Sequence, residues 1–449
     1  MRHTEGESNS SSARQAWVGS AGEVRQAGLL ARDSAVFMHQ SLSTPCARAA
    51  VRAEGIWIED ADGNRCMDFH GNSVHHLGHG HPRVIAAIKR QLDTLPFSPR
   101  RFTNEPAVQL AERLSGLAPD PLGKCLFATG GSDAMEISLR IARAATGRFK
   151  TVSFWDSFHG AGFGASSIGG EATFRSHIAG PLLPGAEHVA PFNCYRCPYG
   201  HAGPESCGIA CSDMVRYALE REGDVAAVVA EPMRAIPHLA PAGFWKRVRQ
   251  ACNEAGALLI FDEISTGLGK TGSFFAFGHE GVVPDIVVLG KALGGGVLPI
   301  AGVIANEGLD VCGDFAVGHY THEKNPVTAS AALETVDVIL EEGLVERAGV
   351  LGERALDRLR DRTHGSRIVG DVRGRGLLFG VEIVAGPETR EPAGDTAERI
   401  LYDCLDRGLS FKVSQGNVLT LSAPLVIGEK ELDEALDILN AAISDAEVN

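Results

Sequence analysis

The sequence has no run of apolar residues that approaches the length of a membrane-spanning helix. Its N-terminal segment, MRHTEGESNSSSARQ, lacks the apolar stretch of a signal peptide, so we expect a cytoplasmic protein in which residues 1–20 form a disordered tail. An excess of positive charge is also missing. The formal net charge is −14 at pH 7, which argues against a nucleic-acid partner. No internal repeat and no long low-complexity linker divide the chain.

The composition is that of a globular protein, and 449 residues are enough for two or three domains. Residues 55–69 alternate apolar and polar side chains around an Asp-Gly turn, which predicts a β-hairpin. From about residue 105 helical segments alternate with short, branched-aliphatic strands. This pattern is typical of an α/β domain in which a mostly parallel sheet is covered by helices.

The pattern changes near residue 327. Beyond it, long helices and further strands predict a second, smaller α+β domain, which we expect the N-terminal hairpin to join. The predicted large domain therefore spans residues 71–327, and the small domain is formed by residues 21–70 and 328–449.

Charged side chains close three of the predicted strands. Glu231 follows VAAVVA, Asp262 follows ALLIF, and Lys291 follows DIVVLG. Ligands of open α/β sheets bind beyond the carboxyl ends of the strands, so we expect these three side chains to converge. A lone carboxylate or lysine at such a place is more often a surface residue, but the combination favours a functional site.

The combination fits a site for pyridoxal 5′-phosphate (PLP). The aldehyde of PLP needs a lysine amine at a buried strand end, and its pyridine nitrogen needs a carboxylate that keeps it protonated. Its phosphate needs backbone N–H groups at the start of a helix. Gly130, Gly131 and Ser132 lead directly into a predicted helix and offer such groups, although an ordinary capped helix is the alternative interpretation.

Several spaced segments together resemble the class III aminotransferase family of PLP enzymes. They follow the family order between about residues 45 and 440, and they include LGHGHP, FHG, FDEISTGLGKTG, LGKALGGG, YTHEKNP and VRGRGLLFGVE. The resemblance implies the α/β fold of type I PLP-dependent transferases, with a mostly parallel seven-stranded sheet in the large domain. It also implies a homodimer that has its active sites at the interface.

The resemblance assigns roles to individual residues. Lys291 is the Schiff-base lysine and the proton shuttle, and Asp262 pairs with the pyridine N–H. The other assigned residues surround the cofactor. Gly131 and Ser132 bind the phosphate, and Thr321 reaches the phosphate in the partner subunit. Phe158 and Ile264 pack on the two ring faces, while His159 belongs to the cofactor shell and Glu231 lies near Asp262.

Two positions depart from the members that use glutamate and 2-oxoglutarate. Thr420 stands where those members have an arginine for the α-carboxylate, and Ile236 lies near the place of their glutamate switch. Extra arginines are present instead, namely Arg100, Arg101 and Arg234, and guanidinium groups suit phosphonate, phosphate or carboxylate groups. If they bind substrate, it is a small amine with an anionic end. The alternative is that they are surface or salt-bridging residues.

These departures favour a lyase over a transaminase. The segment DTLPFSPRRFTN most resembles members that release ammonia from (R)-1-hydroxy-2-aminoethylphosphonate and give phosphonoacetaldehyde. The alternative is an ω-amine or amino-acid transaminase that uses pyruvate or another keto acid. A non-catalytic relative is disfavoured, because such a protein would have lost the lysine or the aspartate.

Four cysteines cluster in the segment CYRCPYGHAGPESCGIAC. The spacing of Cys194, Cys197, Cys207 and Cys211 is compatible with structural zinc, but we favour a loop of packed thiols because the family requires no metal. The five histidines between residues 70 and 81 are interpreted as part of a turn-rich loop rather than as metal ligands.

Overall fold

The computed structural model describes residues 11–38, 40, 44–175 and 180–448. The chain divides by its internal packing into a large unit, residues 82–345, and a small unit formed by the two chain ends, up to residue 81 and from residue 346. The sequence predicted these divisions near residues 70 and 327. No helix in the described part of the chain is long and apolar enough to cross a membrane.

In chain order, the α-helices are α1 (Ser12–Ser20), α2 (Ala27–Val36), α3 (Pro82–Thr94), α4 (Glu105–Leu117), α5 (Gly131–Thr146), α6 (Phe163–Ile168), α7 (Pro204–Cys207), α8 (Ala210–Glu222), α9 (Phe244–Ala255), α10 (Pro326–Glu341), α11 (Leu344–Thr363), α12 (Gly394–Asp406) and α13 (Glu429–Val448).

The strands are β1 (Ala50–Glu54), β2 (Trp57–Asp60), β3 (Arg65–Asp68), β4 (Leu122–Ala128), β5 (Lys150–Phe154), β6 (Ala186–Val189), β7 (Val225–Ala230), β8 (Leu258–Asp262), β9 (Ile286–Leu289), β10 (Ala301–Asn306), β11 (Val369–Arg375), β12 (Leu378–Ile383), β13 (Leu409–Ser410), β14 (Lys412–Ser414) and β15 (Val418–Ser422).

The large unit contains a seven-stranded sheet in the order β4-β10-β9-β8-β7-β5-β6. Strand β10 runs antiparallel to both of its neighbours. The other neighbouring strands pair in parallel. The predicted α/β fold with a mostly parallel sheet is therefore confirmed.

The central strands of this sheet are buried along their whole length. Every residue of β7 and β9 is buried, and the two strands consist only of the apolar residues Val, Ala, Ile and Leu. Apolar residues of α5 belong to the same buried cluster as Val229, Ile260 and Val288. Since apolar side chains fill both faces of the strands, polar groups are left to the strand ends.

The small unit combines helices with two four-stranded sheets, β1-β2-β3-β13 and β11-β12-β15-β14. The predicted hairpin is present as the antiparallel pair β2 and β3. Strand β13 lies parallel to β3, with Leu409 opposite Met67. One sheet thus contains strands from both chain ends, as predicted for the α+β domain.

Residues 12–20 form helix α1 and not the disordered tail that we expected, while residues 1–10 lie outside the described part of the chain. The helix is held by specific partners. Arg14 is completely buried and forms an ion pair with Glu398. The ring of Trp17 stacks on Tyr402 with 4.9 Å between the centroids. A polar composition did not reveal these partners, which lie far away in the sequence.

Candidate active site

Three charged residues lie at the carboxyl ends of neighbouring strands in the large unit. Strands β7, β8 and β9 are adjacent and parallel, so their carboxyl ends share one edge of the sheet. Glu231 follows β7, Asp262 ends β8, and Lys291 follows β9 after Gly290. The topology therefore brings together the three residues that the strand pattern singled out.

The carboxylate of Asp262 is buried, and two donors hold it. Nδ1 of His159 lies 2.8 Å from Oδ2, and the backbone N–H of Ile264 donates to Oδ1 at 3.1 Å. The side chain of His159 is 0% exposed and that of Asp262 is 6% exposed. The contact fixes the carboxylate between β8 and the FHG segment, which precedes α6.

Glu231 is also buried, beside Asp262. Its Oε1 accepts a hydrogen bond from the backbone N–H of Ala235 at 2.9 Å. Burial raises the pKa of Glu231, and the negative charge of Asp262 raises it further, whereas Arg234 and His159 act in the opposite direction. Glu231 therefore favours its neutral form more than an exposed glutamate does, which limits the repulsion between the two carboxyl groups.

Lys291 begins a short 3-10 turn directly after Gly290. Its φ of 45° lies in the left-handed region, which a lysine rarely adopts and which is often found at functional sites. Its Nζ donates a hydrogen bond to Oγ of Ser265. A Cβ placed on Gly290 would lie 3.3 Å from Cγ2 of Ile264. The chain before the lysine therefore packs closely on the segment that follows β8.

Helix α5 begins at the glycine turn without a side-chain cap. Gly130 is its N-cap, and the helix extends for 16 residues. Oγ of Ser132 accepts a hydrogen bond from the backbone N–H of Ala161 at 3.0 Å. Gly160 has a φ of 125°, and a Cβ there would lie 2.9 Å from Cα of Ser132. The start of α5 therefore lies against the FHG segment, and its first N–H groups suit an anion.

The comparison with protein families agrees with this geometry. A family model described as Aminotransferase class-III matches residues 38–443. The chain belongs to the class-III aminotransferase family. The resemblance predicted from the sequence is thereby confirmed.

Relatives of this class-III enzyme differ in the reactions that their names describe. This chain is 43% identical to an (R)-1-hydroxy-2-aminoethylphosphonate ammonia-lyase from Vibrio splendidus, over 98% of this chain and 95% of that protein. It is 37% identical to a leucine/methionine racemase from Thermococcus litoralis, over 94% of this chain and 97% of that protein. An amine transaminase from an uncultivated Pseudomonas species, solved with PLP bound, superimposes with a TM-score of 0.86 at 29% identity, over 92% of this chain and 99% of that chain.

The groups that this member of the class-III aminotransferase family brings together at the strand ends fit PLP. Asp262 offers a buried carboxylate for the ring N–H, Lys291 offers an amine for the aldehyde, and α5 offers N–H groups for the phosphate. Nε2 of His159 is buried without a hydrogen-bond partner among the described residues, so a polar atom beside Asp262 remains for a bound group. Family membership and the PLP-bound relative support PLP as the cofactor, as the sequence predicted.

Ile264 lies where the segments around the cofactor residues meet. A Cβ placed on Gly131 would lie 2.8 Å from its Cδ1. Phe158 is 38% exposed, and its ring contacts Phe174 at a centroid distance of 4.6 Å. Thr321 is exposed. A ring that stacks on a cofactor must keep one face open, and the partial exposure of Phe158 is compatible with this. A residue that contacts the partner subunit must lie at the surface, as Thr321 does. Both roles remain predictions.

The three arginines predicted to bind substrate have different surroundings. Nε of Arg100 lies 2.6 Å from Oε1 of Glu323, and the two side chains are 35% and 10% exposed. Arg234 is buried, and its guanidinium donates to the backbone carbonyl of Asp156. Arg101 is exposed, and none of the ion pairs among the described residues includes it.

The thiols of the cysteine cluster line one cavity, together with His201. No disulfide links any cysteines among the described residues. Among the described residues, no group of three or more His, Cys, Asp or Glu side chains is arranged to hold a metal ion. The structure thus gives no support to the zinc interpretation of Cys194, Cys197, Cys207 and Cys211, which all line this cavity.

Two residues that follow the strand end, Glu263 and Ser265, make contacts that were not predicted from the sequence, although Glu263 was expected to lie at the site beside Asp262. Ser265 contacts the amine of Lys291, and both carboxylate oxygens of Glu263 accept backbone hydrogen bonds. The only signal was that the polar run in FDEIST continues past Asp262. A short polar run is equally typical of a solvated turn, so the sequence could not identify these contacts.

Proposed function

We propose that this chain is a PLP-dependent ammonia-lyase that converts (R)-1-hydroxy-2-aminoethylphosphonate to phosphonoacetaldehyde and ammonia. The observation that carries the proposal is the 43% identity, over 98% of the chain, to the Vibrio splendidus enzyme named for this activity. Thr420 also supports it. This residue is buried in β15, and its Oγ1 donates to Oγ of Ser414 at 3.0 Å, so this position provides no cation for the carboxylate of 2-oxoglutarate.

The residues of the site suit proton removal followed by loss of a neighbouring group. When bound, PLP withdraws electrons from the carbon that carries the amine, which makes its proton acidic. Lys291 takes this proton with its neutral amine, while Asp262 keeps the ring nitrogen protonated. The hydroxyl on the adjacent carbon then accepts this proton from Lys291 and leaves as water. Hydrolysis of the released enamine consumes one water and frees ammonia, so the reaction needs no oxidant and no keto acid.

The phosphonate of this substrate needs a cation. Of the three arginines predicted to bind it, Arg101 is exposed, whereas the charge of Arg100 is already matched by Glu323. Arg234 is buried against the carbonyl of Asp156. We therefore place Arg101 first as the contact for the anionic end, with Arg100 and Arg234 as supporting charges.

We also propose that the protein is a cytoplasmic homodimer in which the partner subunit's Thr321 reaches the phosphate. Cysteines that form no disulfide among the described residues suit a reducing compartment. Several aromatic side chains of the large unit are exposed, among them Phe102 (63%), Phe163 (65%) and Phe315 (72%). Exposed apolar side chains of this size are typical of interaction surfaces when they are contiguous. Light scattering on purified protein should give about twice the chain mass of 47.5 kDa.

The decisive experiment incubates the purified, PLP-loaded enzyme with (R)-1-hydroxy-2-aminoethylphosphonate and no keto acid. We expect equal amounts of ammonia and phosphonoacetaldehyde, and no turnover by the Lys291→Ala variant. If turnover requires pyruvate or another keto acid, the enzyme is a transaminase and the lyase proposal is wrong. The amine transaminase among the solved relatives makes this the informative alternative.

A further inference from the structure

The hydroxyl of Ser265 lies against the amine of Lys291. Nζ donates a hydrogen bond to Oγ, although the two residues are 26 positions apart in the chain. Ser265 is only 8% exposed. A buried hydroxyl in contact with the reactive amine is placed to influence how that amine is oriented.

The segment that carries Ser265 is fixed by backbone hydrogen bonds. The two carboxylate oxygens of Glu263 accept N–H groups from Ala276 and Phe277, each at 2.7 Å. The carbonyl of Glu263 accepts the N–H of Gly267 at 2.9 Å. Side chains supported in this way keep one geometry, so Ser265 presents its hydroxyl at a defined place.

The neighbouring carboxylates are engaged by other donors. Asp262 accepts hydrogen bonds from His159 and Ile264, and Glu263 accepts the two backbone N–H groups. A hydroxyl both donates and accepts hydrogen bonds. Ser265 can therefore contact the amine of Lys291 in its charged and in its neutral form, without adding a negative charge that would hold the proton on the amine.

We propose that Ser265 is a positioning residue that orients the ε-amine of Lys291, both for attack on the cofactor aldehyde and for proton transfer at the substrate carbon. This inference rests on the proposed function, in which Lys291 carries the proton. Because Ser265 acts through Lys291, its loss lowers the rates of these two steps and leaves substrate binding nearly unchanged.

The test compares Ser265→Ala with Ser265→Thr, which keeps the hydroxyl, and with Ser273→Ala, which alters a partly exposed serine of the same segment. For Ser265→Ala we expect kcat to fall about tenfold to a hundredfold, with KM within about twofold, since positioned proton transfer contributes at least this much. The Schiff-base absorbance should also appear about tenfold more slowly when PLP is added to the apoenzyme. Ser265→Thr should recover most of both rates, and Ser273→Ala should match the wild type.

The outcomes separate this inference from the proposed function. If wild-type protein forms no Schiff base with PLP, or turns over only with a keto acid, the proposed function fails first. If wild type behaves as proposed but Ser265→Ala keeps both rates within about twofold, only the role of Ser265 is overturned. The same holds if Ser265→Ala changes KM alone, because that pattern belongs to a residue that binds substrate.

Discussion

Replacing His159 by alanine should weaken the site through Asp262. Nδ1 of His159 and Oδ2 of Asp262 lie 2.8 Å apart, with the two side chains 0% and 6% exposed. Alanine removes the donor and leaves a buried carboxylate oxygen without it, which costs about 1–3 kcal/mol. The cost falls on the ionised form of Asp262, and this is the form that holds the proton on the pyridine nitrogen.

Such a loss corresponds to a decrease of about fivefold to 150-fold in kcat/KM, with a parallel decrease in affinity for PLP. The assay measures ammonia release and the dissociation constant of PLP. His159→Asn is the matched control, because an asparagine amide can place a donor near the position of Nδ1 and should keep most of the activity. An alanine variant that equals wild type in both measurements, or an asparagine variant as poor as alanine, would refute this reasoning.

Three further predictions concern stability, pH and substrate. Arg14→Met leaves the buried carboxylate of Glu398 unpaired, so we expect a loss of about 3–5 kcal/mol in the unfolding free energy of the small unit, measured by urea denaturation. Burial raises the pKa of Glu263 to about 8, so the folded protein favours the neutral acid and loses stability as the pH rises towards and through that value. Glu263→Gln removes this titration, and the Tm advantage of wild type over the variant should shrink between about pH 5 and about pH 8, the range between the unfolded and the folded pKa, and then level off. Arg101→Ala should raise KM for the aminophosphonate about tenfold or more, whereas Arg100→Ala should change it less, because Glu323 already matches that charge.

Each of these predictions has a control or an opposing result. Arg32→Met alters an exposed arginine of α2 and should leave the unfolding curve unchanged. Parallel Tm curves for wild type and Glu263→Gln across the pH range would show that Glu263 does not titrate with folding. Equal KM values for wild type and Arg101→Ala would remove Arg101 from the substrate site.

The sheet and its reactive edge were predictable because their signals are local. Strands β7 and β9 are short, apolar and buried on both faces, and such strands read as continuous runs of branched aliphatic residues. Parallel strands place their carboxyl ends at one edge, so Asp262 and Lys291 could be assigned to one site without any distance information. The residue types then matched what PLP requires.

The contacts that tune this edge were not predictable, because they join distant parts of the chain. His159 and Asp262 are 103 residues apart, and nothing in FHG or FDEIST shows that the two side chains meet. Arg14 contacts Glu398 across 384 residues, so residues 12–20, which form a helix, could not be recognised as ordered from their local sequence. Composition reports the average environment of a segment, whereas the partners of this helix, such as Glu398 and Tyr402, lie far away in the sequence.

The structure also explains why the family alone leaves the reaction open. Two pairs of contacts lie within the large unit, His159 with Asp262 and Ser265 with Lys291, and together they would serve any reaction that begins with proton removal beside an amine. The chain is 43% identical to an ammonia-lyase and 37% identical to a racemase, so most of such a framework is compatible with several outcomes. What happens after proton removal depends on whether the substrate carries a leaving group on the next carbon, and therefore on the side chains that select the substrate. We propose that the choice between lyase and transaminase depends on positions outside these contacts, such as Arg101 and Thr420.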